Sequence, residues 1–127
     1  MTNNIKNPIT AFRKYARYGY DKMGLDIFEI CNIATGATVG KNEAAEILAV
    51  YQTLQALEYN GHKEIADAVR AVYFRYANRP LKKNEISWRV RRFATESYMD
   101  ERTVYRHLRL AKTLYLKFYE NGIKNVE

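Results

Sequence analysis

"DERTVYRHLRLAKTLYLKF", residues 100–118, decides the fold. Its apolar side chains Val104, Leu108, Ala111, Tyr115 and Phe118 follow one another in steps of 4, 3, 4 and 3. That rhythm marks one face of an α-helix, whose turn takes 3.6 residues, whereas a half-buried strand would alternate by two. Asp100 stands at the start, where a short carboxylate makes a good N-cap, and Glu101 suits the positive end of the helix dipole. Gly122 is expected to end the helix.

Working toward the N-terminus, the same rhythm recurs. Asn84 is expected to cap a helix that carries Ile86, Val90 and Phe93 inward, with a break near residues 97–99. Ile65, Val69, Val72 and Tyr76 step by 4, 3 and 4. Pro80 stops that helix, because it disfavours the helical conformation at Arg79. Ile47, Val50, Leu54 and Leu57 step by 3, 4 and 3. "YNG" ends this one, with Gly61 free to turn left-handed. The two helices are close in sequence and are expected to pair antiparallel. Before residue 41 the pattern weakens. A short helix fits Ile9–Tyr18, ended by Gly19 and Gly24. Asp26 fits a cap on a helical turn through Ile27, Phe28 and Ile30, though the β-branched content also permits a strand. Gly36 and Gly40 mark a loop, and residues 1–8 read as a loose leader. The expectation is an all-α helical bundle with a C-terminal helix-turn-helix. Residues 1–40 are expected to form an N-terminal appendage of open structure, and residues 41–122 a helical DNA-binding domain with the helix-turn-helix at 84–118.

Composition bounds the function. A hydrophobic fraction of 47% in 127 residues supports a packed core. Cys31 is the only cysteine, which excludes an intrachain disulfide and a cysteine-based zinc site. The opening residues carry no charged-then-apolar run of secretory type, and no apolar stretch reaches the roughly 20 residues of a membrane helix. A reduced, cytoplasmic protein without a membrane partner is the expectation. The net charge is +7, and it is segregated. Residues 1–60 hold six basic and six acidic side chains, while residues 61–127 hold fifteen basic and eight acidic ones. A neutral half joined to a basic half suggests a footprint for a polyanion.

The stretch from Ala94 to Leu108 fits two helices joined by a tight turn, the second lying in a major groove. Ala94 is small enough for a close crossing, Met99 can point back inward, and Val104 and Leu108 anchor the second helix. Its outward positions would then include Arg102, Thr103, Tyr105, Arg106 and Arg109, with Lys112 beyond them. Arginine suits guanine edges, while threonine and tyrosine suit phosphates or a thymine methyl. Lys82, Lys83, Arg89, Arg91 and Arg92, with Trp88, are expected on or beside the outer face of the preceding helix, where cations neutralise phosphates without reading sequence. One position departs from this template. Before Met99 a glycine is usual, and Tyr98 there would be strained at positive φ, so a longer or differently shaped turn is expected.

"ISWRVRRFATESYMDE" followed by "RTVYRHLRLAKTLYLKFYENG" resembles the C-terminal part of late-gene transcription activators of Gram-positive phages, the RinA and ArpU type. The resemblance covers roughly residues 62–122. It implies a helix-turn-helix like that of sigma-factor region 4, binding to phage promoter DNA inside a bacterial host cell, and contact with host RNA polymerase. By position it gives Arg102, Thr103, Tyr105, Arg106 and Arg109 the recognition-helix roles.

Other motifs carry less. "GATVGKN", residues 36–42, has three residues between its glycines and Asn42 after the lysine, where a phosphate-binding loop needs four and a Ser or Thr. His62 and His107 lack neighbours at metal-ligand spacing. Glu43 with Glu46, and Glu64 with Asp67, read as solvated surface, Cys31 reads as a small core residue, and Ser87 and Ser97 lack a nucleophile setting. No catalytic residue, metal or cofactor is expected. Tyr15, Tyr18 and Tyr20, interleaved with Arg13 and Arg17, read as a small core or partner interface rather than a base-stacking platform. The reading that follows is a sequence-specific double-stranded DNA-binding transcription regulator, dimeric so that palindromic sites double the contact. Its alternatives are a helical module that binds an acidic protein surface without touching DNA, and an RNA binder.

Overall fold

The computed structural model describes the backbone of residues 7–34 and 41–126, and the side chains of residues 7–34 and 42–122. Among them every regular element is helical: α1 (Pro8–Arg17), the short α2 (Tyr20–Met23), α3 (Ile27–Ala34), α4 (Lys41–Tyr59), α5 (Lys63–Val69), α6 (Glu85–Glu96) and α7 (Glu101–Val126), with a π-helical turn (Arg70–Phe74) prolonging α5. The expected all-α bundle is what forms. Residues 1–6 of the leader, the loop at Gly36 and Gly40, and most of "GATVGKN" lie outside the described residues.

The two longest helices, α4 and α7, share the most extensive interface. Ile47, Val50, Leu54 and Leu57 are buried, as their spacing predicts, and so are Val104, Leu108, Ala111 and Tyr115. The seam then continues through Tyr119, a step of four, and Phe118 stays half-buried. α7 also runs past Gly122 to Val126 rather than ending there. At the other end of α4, Gly61 takes φ 82°. His62 N–H then donates to Leu57 O at 2.7 Å and Gly61 N–H to Glu58 O at 3.3 Å, which closes the helix in a Schellman motif.

The N-terminal residues are not an appendage, and the expected division at residue 40 is corrected. Asn7 Oδ1 accepts from the N–H groups of Ile9 and Thr10, and Pro8 occupies the first helical position, so α1 starts firmly. The helix then puts Phe12 at the centre of the molecule. Its ring stacks on Tyr73 at 5.8 Å and tilts against Tyr115 at 5.6 Å. Ala11, Tyr15 and Ile30 join the same core. Burying one such aromatic is worth about 1.5–3 kcal/mol. Tyr15, Tyr18 and Tyr20 form a small aromatic cluster, as expected. The ambiguous stretch at 26–34 is helical because Asp26 and Glu29 cap it reciprocally. Glu29 N–H donates to Asp26 Oδ1, and Asp26 N–H to Glu29 Oε1, each at 2.9 Å.

Two further expectations fail. Ile65, Val69 and Val72 are buried, but Tyr76 is 66% exposed with φ 51°. The π-helical turn inserts extra backbone at 70–74 and the helix stops there, which swings Tyr76 outward. Asn84 precedes α6 but sits at φ 66° and its side chain makes no cap bond. Glu85 instead reaches back, its Oε1 accepting from Lys82 N–H at 2.9 Å on the chain that leads into the helix. Among the described residues no helix is long and apolar enough to cross a membrane.

Candidate nucleic-acid interface

The turn between α6 and α7 is tight. Tyr98 N–H donates to Thr95 O at 3.3 Å and Met99 N–H to Ala94 O at 2.8 Å. These are the two bonds of a Schellman motif, with Tyr98 as its left-handed residue at φ 57°. The expectation of a longer or different turn is therefore overturned. A left-handed tyrosine costs about 1–2 kcal/mol rather than being forbidden, and its ring, 96% exposed, meets no neighbour that adds to the strain. Met99 packs back on the core, Asp100 O accepts from the N–H groups of Thr103 and Val104, and α7 begins. Val90 and Ala94 on α6 and Val104 and Leu108 on α7 are buried in the same cluster. Ala94 lets the two helices approach closely.

With its back anchored, α7 leaves Arg102, Arg106 and Arg109 exposed. Steps of four and three put them on one face. Among the described residues none of the three forms an ion pair. Thr103 and Lys112 are half-buried, so they are less available than their positions suggest. Tyr105 turns toward α6, where its hydroxyl lies 3.4 Å from Ser87 Oγ. His107 is half-buried, and its Nδ1 finds no partner among the described residues.

The arginines of α6 separate around the helix, because each residue advances the side chain by about 100°. Arg91 points toward α7 and lies 3.6 Å from Glu101. Arg92 points the other way, pairs with Glu96 at 3.1 Å and lies over the Trp88 ring at 5.6 Å. Both pairs are largely exposed and worth little, so either arginine is free to exchange its partner for a phosphate. Arg89 is a correction. Only 6% exposed, it is no outer-face cation. Its guanidinium donates to Val72 O at 2.7 Å and to Glu85 Oε2 at 2.6 Å, satisfying a carbonyl of the π-helical turn. Lys82 and Lys83, exposed on the chain leading into α6, keep ammonium groups without an ion pair among the described residues.

A second buried arginine supports this arrangement and was not foreseen. Arg13 on α1 donates to four backbone carbonyls: Tyr73 at 3.1 Å, Arg75 at 3.4 Å, Tyr76 at 3.0 Å and Arg79 at 2.6 Å. Burial first, then repulsion from Arg89, lowers its pKa, but a guanidinium stays charged at neutral pH. Arg79 in turn grips both oxygens of Glu85, at 3.0 and 2.8 Å. Those two bonds, the Lys82 N–H and Arg89 hold the Glu85 carboxyl well below the usual carboxylate range. The Glu85–Arg89 spacing of four was a readable signal of this network. Nothing in the local pattern marks Arg13. Glu43 and Glu46 also depart from the solvated reading, since they bind Tyr18 and Lys14 and dock α1 on α4.

Among the described residues no group of three His, Cys, Asp or Glu is placed to hold a metal ion. The chain matches no protein-family model, no curated protein and no solved structure.

Proposed function

We propose that this protein is a sequence-specific double-stranded DNA-binding transcription regulator of the bacterial cytoplasm, with the first turns of α7 read into a major groove. One observation carries the reading. Arg102, Arg106 and Arg109 share an exposed face without ion pairs among the described residues, on a helix whose opposite face is locked in the core. From Arg102 to Arg109 the axis advances about 10 Å, which suits a groove about 12 Å wide. Arg91 and the exposed Lys82 and Lys83 supply phosphate contacts beside it. The tight turn, with its inward Met99 and small Ala94, supports treating α6 and α7 as a helix-turn-helix.

The test is selection of bound fragments from random duplex DNA, followed by titration of the enriched site. Arg106→Ala is expected to cost about 1–3 kcal/mol on that site and to relax one base preference. Lys83→Ala is expected to weaken every duplex alike and to lower the slope of log K against log salt by about 0.9. No enrichment, or equal weakening of all sequences by both variants, would overturn the reading in favour of a module for acidic proteins.

A further inference from the structure

On the side of α6 away from Glu101 and Tyr105, a cleft of ≈ 360 Å³ opens against residues 71–79. That volume suits a small ligand. Its walls combine the rings of Tyr76, Trp88 and Phe93 with the guanidiniums of Arg75, Arg79, Arg89 and Arg92. Arg79 lies over the Tyr76 ring at 5.2 Å. Two carboxylates line the cleft as well, but Glu85 is held by Arg79 and Arg89, and Glu96 by Arg92. Arg75 is exposed and forms no ion pair among the described residues. Tyr76, which lines the cleft, is strained at φ 51°. Strain in non-glycine residues concentrates at ligand clamps, where the surrounding structure over-determines it. The four carbonyl bonds of Arg13 are that over-determination.

We infer that this cleft binds a nucleoside phosphate: Arg75 holds the phosphate, Arg92 leaves its exposed pair with Glu96 and the Trp88 ring to join it, and the base stacks on the ring so uncovered. A planar guanidinium fork matches phosphate oxygens two at a time. Aromatic faces accept any base, because every base has a π-face. An inorganic anion would leave the rings unused, and a neutral aromatic would leave Arg75 unpaired. The same chemistry comes from two sources, a free mononucleotide or an unpaired nucleotide at a DNA strand end. The inference does not depend on duplex reading by α7, which uses the other flank of α6.

Trp88 is the only tryptophan, so its fluorescence reports the cleft directly. The full chain is titrated with AMP, GMP, adenosine, inorganic phosphate and a 5′-phosphorylated single-stranded oligonucleotide. A mononucleotide is expected to quench saturably, with adenosine and phosphate each at least tenfold weaker. Arg75→Glu is expected to weaken the response at least tenfold with the helical circular dichroism unchanged, and Arg75→Lys to retain part of it. Quenching by the oligonucleotide but not by mononucleotides, again lost in Arg75→Glu, assigns the site to a DNA strand end. The inference is overturned if neither class quenches at millimolar concentration, if adenosine matches AMP, or if Arg75→Glu leaves the response intact. No duplex enters the titration, so failure of the α7 reading leaves its outcome readable.

Discussion

Replacing Arg13 with alanine strikes the contact on which residues 73–79 depend. The guanidinium meets four carbonyls, three of them within 3.1 Å and one at 3.4 Å. A hydrogen bond from a charged donor contributes about 1.5–3 kcal/mol, and a carbonyl left buried without a partner costs about 1–3 kcal/mol. These do not sum. The 3.4 Å bond is weak, the part-exposed carbonyls can turn to water, and the loss of one cation relieves repulsion with Arg89 and Arg79. The buried Tyr73 carbonyl is left without its partner and the three part-buried ones lose less, so the expected loss is about 2–4 kcal/mol. Against the roughly 5–15 kcal/mol of a typical domain, such a loss brings the fold near its threshold. Urea unfolding followed by helical circular dichroism measures it, with an unchanged slope showing that the unfolded chain is not altered. Arg13→Lys should recover less than half, because an ammonium cannot span four separated acceptors. A loss below about 1 kcal/mol for Arg13→Ala, ordinary for a substitution anywhere, would refute the claim that this side chain organises the segment.

Three further outcomes follow from the same geometry. Tyr98→Gly removes a left-handed cost of about 1–2 kcal/mol and adds about 0.5–1 kcal/mol of glycine entropy. A rise of about 0.5–1 kcal/mol in unfolding free energy is expected, while Tyr98→Ala should show none. Glu85 is held below its ordinary value of 4.5, chiefly by Arg79, so below that pH the folded state binds fewer protons than the unfolded one. Its contribution is complete above pH 4.5 and is lost as pH falls toward the folded value, so Glu85→Gln should flatten the acid limb of a stability–pH curve and leave the slope above 4.5 unchanged. Tyr115 is buried with its hydroxyl unpartnered among the described residues. Tyr115→Phe should therefore leave stability unchanged or raise it by up to about 1 kcal/mol in thermal unfolding, and a loss of that size would show the hydroxyl to be bonded.

What was legible in the chain follows from the range of the forces involved. The faces of α4, α5 and α7 were plain, because burial repeats every three or four residues over several turns. Gly61 was plain because a left-handed helix end favours glycine. Tyr98 was misread for the converse reason: sterics were taken as a prohibition, when two turn bonds and the packing of α7 offset a cost of about 1–2 kcal/mol. The helix of α1 was legible, but its place in the core was hidden by its own arginine. Ala11, Phe12 and Tyr15 share a buried side with Arg13, whose partners lie sixty or more residues away. A charge that satisfies distant carbonyls looks, in one dimension, like a charge facing water. Arg89 failed in the same way, although its spacing from Glu85 gave half of the answer.

Charge in a sequence measures supply, and only the folded chain shows how much is already committed. In the basic half, Arg70 binds Asp21 and Glu58, Arg79 and Arg89 share Glu85, and Arg89 also holds a carbonyl. Those cations are structural. Arg91 and Arg92 are loosely paired, and among the described residues those without an ion pair are Arg102, Arg106, Arg109, Lys112 and Lys117 on α7, Lys82 and Lys83, and Arg75 in the cleft. The committed set is also what aims the uncommitted one. α1 fixes residues 73–79 through Arg13, Arg79 and Arg89 fix the start of α6 through Glu85, and α6 seats α7 through Val90 and Ala94. A fragment beginning at residue 41 keeps every proposed DNA contact yet lacks both Phe12 and Arg13. It would present the same arginines on an α7 that α4 and α6 still seat, while residues 73–79 and the start of α6 lose their anchor, so α1 supports the proposed interface from behind.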